Sequence, residues 1–345
     1  MRKKWFKWFM LLLIQIIFWK LIVKIDGFPE FWFNNFVVHY QSIVNFFTSF
    51  LRRGIGELFY LCLILCSIFY VVNSIKSKLF HKPIQLVFFF VFFYNLVWGT
   101  IYSKSNFIVE KNIEFEQDKL KELYKYSLNE AILARSEISK DQANPIRFKS
   151  NVVDYLNEYK LYQKQLMDEN WIVNKHQIES PKAIYSNVSS LMNYLGILGY
   201  YNPFSVEANI NRHNSDLKSP LTVFHELAHQ NGYASESEAN FIAYFIGSKS
   251  KNNDVKYAAN FKLLFHLLNI LKHLDPEFAK EEYASLPKGI LLDRESDLIY
   301  YEQFEGKLND LFSEINNKFL KLNNQEGIVS YSRYSKLVYY YHYKK

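Results

Sequence analysis

Three long apolar runs crowd into the first hundred residues, at 8–23, 55–75 and 84–102, and the rest of the chain has nothing comparable. The second and third approach the roughly 20 residues that a helix needs to cross a bilayer. The first is shorter, broken by Lys20, and follows Arg2, Lys3, Lys4 and Lys7 as a signal-peptide core would. No small-x-small cleavage site comes after it, only Lys24, Ile25 and Asp26, so an uncleaved anchor is expected. Residues 1–102 therefore read as an α-helical transmembrane region of three spans.

Charge follows the same division. The net charge of the 345 residues is +7, yet residues 1–102 hold 11 Lys/Arg against 3 Asp/Glu, and the remainder holds 30 against 31. A basic excess confined to the apolar third points to a lipid bilayer as partner and away from nucleic acid. An aromatic content of 18% excludes a disordered chain. Two cysteines, Cys62 and Cys66, exclude a disulfide framework or a Cys-rich zinc module, and they sit one turn apart in the second run as packing residues. Residues 28–51 are aromatic-rich but carry Asn34, Asn35, His39 and Gln41, which suits the membrane interface or a re-entrant segment. Basic residues before the first run, and Lys76, Lys78 and Lys82 between the second and third, orient both segments to the cytoplasm. Arg52 and Arg53 oppose this bias from the outer loop. The expected location is the inner (cytoplasmic) membrane, with residues 103–345 extracytoplasmic.

Beyond residue 102 the pattern is mostly helical, with apolar residues three and four apart over 114–138 and 150–171. Helical patterns return at 221–231, 235–248, 254–274, 293–322 and 331–343. Between them, 182–211 carries short apolar pieces with Gly196, Gly199 and Pro203, which read as strands and turns. The expected fold is a mainly helical α+β domain behind the transmembrane helices, with a small sheet just before the most informative segment.

That segment contains His225-Glu226-Leu-Ala-His229 and ends at Gly232. Residues four apart share a helix face, so the two imidazoles can meet one Zn2+ ion, one per chain. Glu226, one step round, can reach a zinc-bound water without being a ligand, and zinc brings that water's pKa to about 7. Pro220 at the helix start and Gly232 at its end support the reading. The plainer alternative is two core histidines beside a surface glutamate. A third ligand is sought in Ser235-Glu236-Ser-Glu238-Ala-Asn240, at the start of the next helix. Both Glu236 and Glu238 are candidates; Ser235 with Glu238 also fits a capping box. Glu236 and Asn240 share a face, which would let Asn240 hydrogen-bond a ligating histidine. His213, His266 and His273 are reserves.

The HELAH and ESEAN pair resembles the glutamate-type zincins (gluzincins), and the E-x-E-A-N form is similar to the immunity-repressor metalloproteases. The chain departs from most of these in having only six residues between His229 and Glu236. More closely, it looks like an uncharacterised family of bacterial three-pass membrane proteins with an HExxH metallopeptidase domain. Asn95-Leu-Val-Trp98-Gly99, Gly199-Tyr-Tyr-Asn202-Pro203-Phe204 with Glu207-Ala208, Asn324-Gln325-Glu-Gly327 and Ser330-Tyr331-x-Arg333 carry that resemblance. It implies a zincin-like domain, catalytic Glu226, metal ligands His225, His229 and Glu236 or Glu238, and a peptide or protein substrate. It also nominates Tyr331 and Arg333 as donors to a developing oxyanion; the gluzincin likeness offers residues 204–211 as an edge strand that receives extended substrate, with a plain core strand or turn as the alternative. A zinc-binding sensor or scaffold of the cell envelope that cuts nothing is the alternative. An intramembrane protease is disfavoured, because the motif lies over 100 residues past the last span; a transporter is disfavoured because the spans are poor in polar residues.

Overall fold

The structure, a computed structural model, describes residues 2–50, 54–79, 81–104, 113–169, 176–178, 180–323 and 330–343. It divides into one unit of residues 1–105 with 202–207, and another of 106–201 with 208–345.

The first unit runs through α1 (Arg2–Ile22), α2 (Phe28–Trp32), a π-helical turn (Phe33–Val37), α3 (Val38–Ser49), α4 (Gly56–Lys76) and α5 (His81–Val97). Two of these, α1 and α4, are long and apolar enough to cross a membrane. Their apolar windows are only 11% and 6% buried, unlike the core helix of a soluble domain. The third expected span ends early. After Val97, Trp98 leaves helical geometry with φ −142°, and a 3-10 turn (Gly99–Ser103) follows, so 84–102 is not one helix. A Cβ on Gly99 would lie 2.6 Å from Asn95 Oδ1 and 2.9 Å from Tyr94 Cε1, so a larger residue there requires those side chains to shift. Where α1 meets α5, the Gln15 amide nitrogen donates to the Phe88 carbonyl at 2.9 Å, which pairs one of its polar atoms inside an apolar segment.

Residues 202–207 are built into this unit. Phe204 packs among the rings of Phe59, Tyr60 and Phe90, and the Tyr40 hydroxyl donates to its carbonyl at 3.0 Å. The buried Glu207 carboxylate accepts from Gly56 N at 2.8 Å and Ile55 N at 3.3 Å, capping the otherwise open N-terminus of α4.

The second unit is mostly helical. In chain order come α6 (Gln117–Ile138), α7 (Val152–Asp168), β1 (Ala183–Tyr185), α8 (Ser189–Tyr194), β2 (Gly199–Asn202) and β3 (Glu207–Ile210). Then follow α9 (Ser219–Gln230), α10 (Glu236–Lys249), α11 (Asn253–Leu274), α12 (Pro276–Ser285), α13 (Lys288–Glu302), α14 (Lys307–Leu322) and α15 (Ser330–Tyr343). At the centre stands α10, buried from Ser237 to Gly247 because it packs on α9, α11 and α15. A helix buried all round has no amphipathic stripe to show in its sequence. Gly247 is what lets α10 approach so closely: a Cβ there would lie 2.7 Å from Ala259 and 3.2 Å from Leu221. Behind it α11 lies along α6, and Arg135 of α6 pairs with Asp293 of α13 at 2.7 Å, both buried. Asp293 also accepts from Ile146 N at 2.6 Å and from the Tyr257 hydroxyl at 2.5 Å, the extra hydrogen bonds that a buried ion pair requires.

Two sequence expectations change here. The helix expected over 293–322 is two helices, α13 and α14, parted by a turn before Gly306, and α12 precedes them. Of the readings open for 204–211, the core strand is the one found: β3 is central, not a free edge. The sheet order is β1-β3-β2, with β1 and β3 parallel in register Ala183↔Ala208 and Ile184↔Asn209. All four β3 residues are buried, and the edge on its far side is β2.

Candidate metal centre

The site begins with how α9 ends. Gly232 takes φ +84°, a conformation that L side chains resist, and closes the helix with Gly232 N donating to His229 O and Tyr233 N to Ala228 O. This reversal carries the Tyr233 carbonyl back to His229, whose Nδ1 lies 2.7 Å away. A carbonyl only accepts, so Nδ1 carries a proton and, in the neutral ring, Nε2 keeps its lone pair.

One turn earlier on α9, His225 presents its Nε2 at 3.1 Å from His229 Nε2. From the start of α10, Glu236 reaches both, with Oε2 3.1 Å from His225 Nε2 and Oε1 3.6 Å from His229 Nε2. Among the described residues these three form the group that could hold a metal, with ligand atoms within 4.8 Å of one another. Tetrahedral zinc with bonds of 2.0–2.1 Å sets its ligand atoms about 3.3 Å apart, so the donor spacing fits. The donor chemistry fits as well: two imidazoles and one carboxylate.

Burial opposes charge on His229, but hydrogen bonding and the charge of Glu236, with Glu226 adding to them, push its pKa up to about 9. Burial pulls His225 down against the attraction of Glu236. Burial would raise Glu236, yet hydrogen bonds from both imidazoles hold its carboxyl well below the usual range.

Glu226 is buried beside them, and burial pushes its pKa up to about 8 despite the His229 charge and a hydrogen bond from the Tyr201 main-chain N–H. That N–H belongs to β2. The same strand brings Gly199 so close that a Cβ there would lie 2.9 Å from Glu226 Cγ. The edge strand therefore packs directly on the HExxH helix.

Other expected residues fall elsewhere. Glu238 is buried outside the three-residue group, and its charge is felt by the Tyr233 hydroxyl. The Ser235–Glu238 capping box does not form; the Ser235 hydroxyl lies 2.9 Å from that of Ser237. The Asn240 side chain bonds no histidine through either atom: Nδ2 donates to Glu236 O at 2.8 Å, and Oδ1 accepts from Lys262 Nζ at 2.7 Å. His213 is exposed, 3.4 Å from the Ser190 hydroxyl. His266 faces the Tyr334 ring and His273 lies in the last turn of α11, so none of the three joins the group. Arg333 is half-buried on α15, while the Tyr331 side chain and residues 324–329 lie outside the described residues. Sequence reasoning missed Gly199, Tyr201 and Lys262. The signal for Lys262 is a lone charge one turn beyond Ala258 and Ala259 on an apolar stretch.

A family described as "Protein of unknown function (DUF3810)" matches residues 32–339. This chain belongs to that family. The matched stretch takes in α4, α5 and the HExxH region of this chain. No curated protein and no solved structure matches the chain.

Proposed function

We propose that this member of the DUF3810 family is a membrane-anchored zinc metallopeptidase whose zincin-like domain faces the extracytoplasmic side. The observation that carries the reading is the convergence of His225, His229 and Glu236 on one point, with Glu226 buried alongside. His225, His229 and Glu236 would hold the ion, and neither histidine needs to turn, because the Tyr233 carbonyl already sets the His229 tautomer. Bound zinc supplies a water of lowered pKa and a polarised substrate carbonyl. Glu226 is the general base. One carboxylate oxygen is held by the Tyr201 N–H and the other is left to accept a proton and pass it to the leaving amine. On the β2 side Gly199 lies against Glu226, where a Cβ would come 2.9 Å from its Cγ. As the edge of the sheet, β2 is the strand on which an extended peptide would add its backbone, in place of residues 204–211. Tyr331 and Arg333 are the proposed donors to the negative oxygen.

The test is Glu226→Gln in the full chain. The variant should bind zinc with unchanged stoichiometry and lose about 10²–10⁴-fold in peptide hydrolysis, the usual contribution of a general base. Hydrolysis at the wild-type rate would remove Glu226 from its role. Zinc bound by the wild type with no turnover on any peptide library would favour a non-catalytic sensor or scaffold of the envelope.

A further inference from the structure

Lys262 reaches from α11 toward α10, where its Nζ donates to Asn240 Oδ1 at 2.7 Å. The Asn240 amide donates onward to the main-chain oxygen of Glu236 at 2.8 Å. The ammonium thus stands two hydrogen bonds from a proposed metal ligand. Its other polarisable neighbour is the ring of Tyr334, 5.5 Å from Nζ to centroid. Lys262 is partly buried, and among the described residues no carboxylate lies in ion-pair contact with it.

The sign of this charge is unusual for a metal centre. Histidine–zinc sites generally place a carboxylate or carbonyl behind their ligands, which strengthens the hold on the cation. Here His229 has its carbonyl from Tyr233, but the residue four after Glu236 is an amide whose oxygen is occupied by a lysine. The geometry therefore sets an ammonium, and not a carboxylate, two hydrogen bonds behind Glu236.

We propose that Lys262 is a positioning residue that fixes the first turn of α10 through Asn240 and whose positive charge holds down the affinity of the His225–His229–Glu236 group for a dication. This rests on the metal-centre reading above. Burial pulls the Lys262 pKa down to about 8, with the Lys218 charge adding to the fall and the Glu236 charge opposing it.

The experiment uses the full chain in detergent, as wild type, Lys262→Gln, Lys262→Arg and Lys262→Met. Each is titrated with zinc against a competing chelator at neutral pH, and with cobalt to read ligand geometry from its absorption band. Gln keeps a donor for Asn240 without the charge, so it should bind zinc about tenfold more tightly than wild type with the same cobalt band. Arg should match the wild type, and Met, which loses the hydrogen bond too, should shift the band and bind less tightly than Gln. Zinc binding by Lys262→Gln at or below wild-type affinity, with the fold intact by circular dichroism, overturns the proposal while leaving the metal centre standing. If the wild type binds neither metal, the metal centre itself is refuted and the proposal falls with it. Should Met fail to fold, the Gln and Arg pair decides the question.

Discussion

Gly199 and Glu226 touch across the gap between β2 and α9, and the closeness of that contact sets a sharp requirement on one atom. A methyl at 199 would lie 2.8 Å from Thr222 Cγ2 and 2.9 Å from Glu226 Cγ, both on a helix too well packed to move aside. Gly199→Ala should therefore displace the Glu226 carboxylate without touching the three ligands. Zinc stoichiometry stays at the wild-type value, and kcat for peptide hydrolysis falls by about a hundredfold, the cost of a misplacement of roughly 1 Å. Equal losses of zinc and activity would show that the glycine supports the helix as a whole. At this scale the HExxH spacing was legible in the sequence, because two histidines four apart must share a helix face wherever the helix lies. The choice between Glu236 and Glu238 was not. Both stand in the same first turn of α10, and only the angle at which α10 leaves Gly232 aims one at the imidazoles and the other into the core.

At the scale of elements, the turn from α9 to α10 does two things at once: it ends one helix and presents the Tyr233 carbonyl to His229. Gly232→Ala forces a side chain into the left-handed region, at a cost of roughly 1–2 kcal/mol. Thermal denaturation should show a lowered midpoint, and the zinc affinity should fall in the same variant because His229 loses its fixed tautomer. A lowered midpoint with unchanged affinity would separate the turn from the metal centre. Helices with a single apolar face, such as α6 and α7, were legible within a few residues, since their periodicity is written on one side. The sheet was legible only as present. A four-residue strand buried on both faces carries no alternation, so nothing marked β3 as central and β2 as the edge.

Across the whole molecule, the chain joins an apolar helical unit with two helices capable of crossing a membrane to a larger, mostly helical unit containing the histidine–glutamate group. The proposed sidedness follows from the lysines and arginines around the apolar runs. A reporter active only in oxidising compartments, fused after residue 345, should work in cells, and one that needs the cytoplasm should stay silent. The opposite pattern would put the candidate metal centre on the cytoplasmic face. At the third apolar run, composition and helix bounds differ. Nineteen residues of nearly unbroken apolar sequence read as one span; the helix there runs His81–Val97, and a 3-10 turn occupies Gly99–Ser103.

Amino-acid order alone settled what depends on neighbours in the chain: apolar helices at the start, amphipathic helices after them, and two imidazoles held to one face by a single helical turn. The packing of α9, α10, α11 and the small sheet settled what depends on distance through space. It selected Glu236, gave Asn240 to Lys262, and laid β2 against Glu226. These contacts join residues whose spacing along the chain obeys no period, so only the folded arrangement of the elements could bring them together.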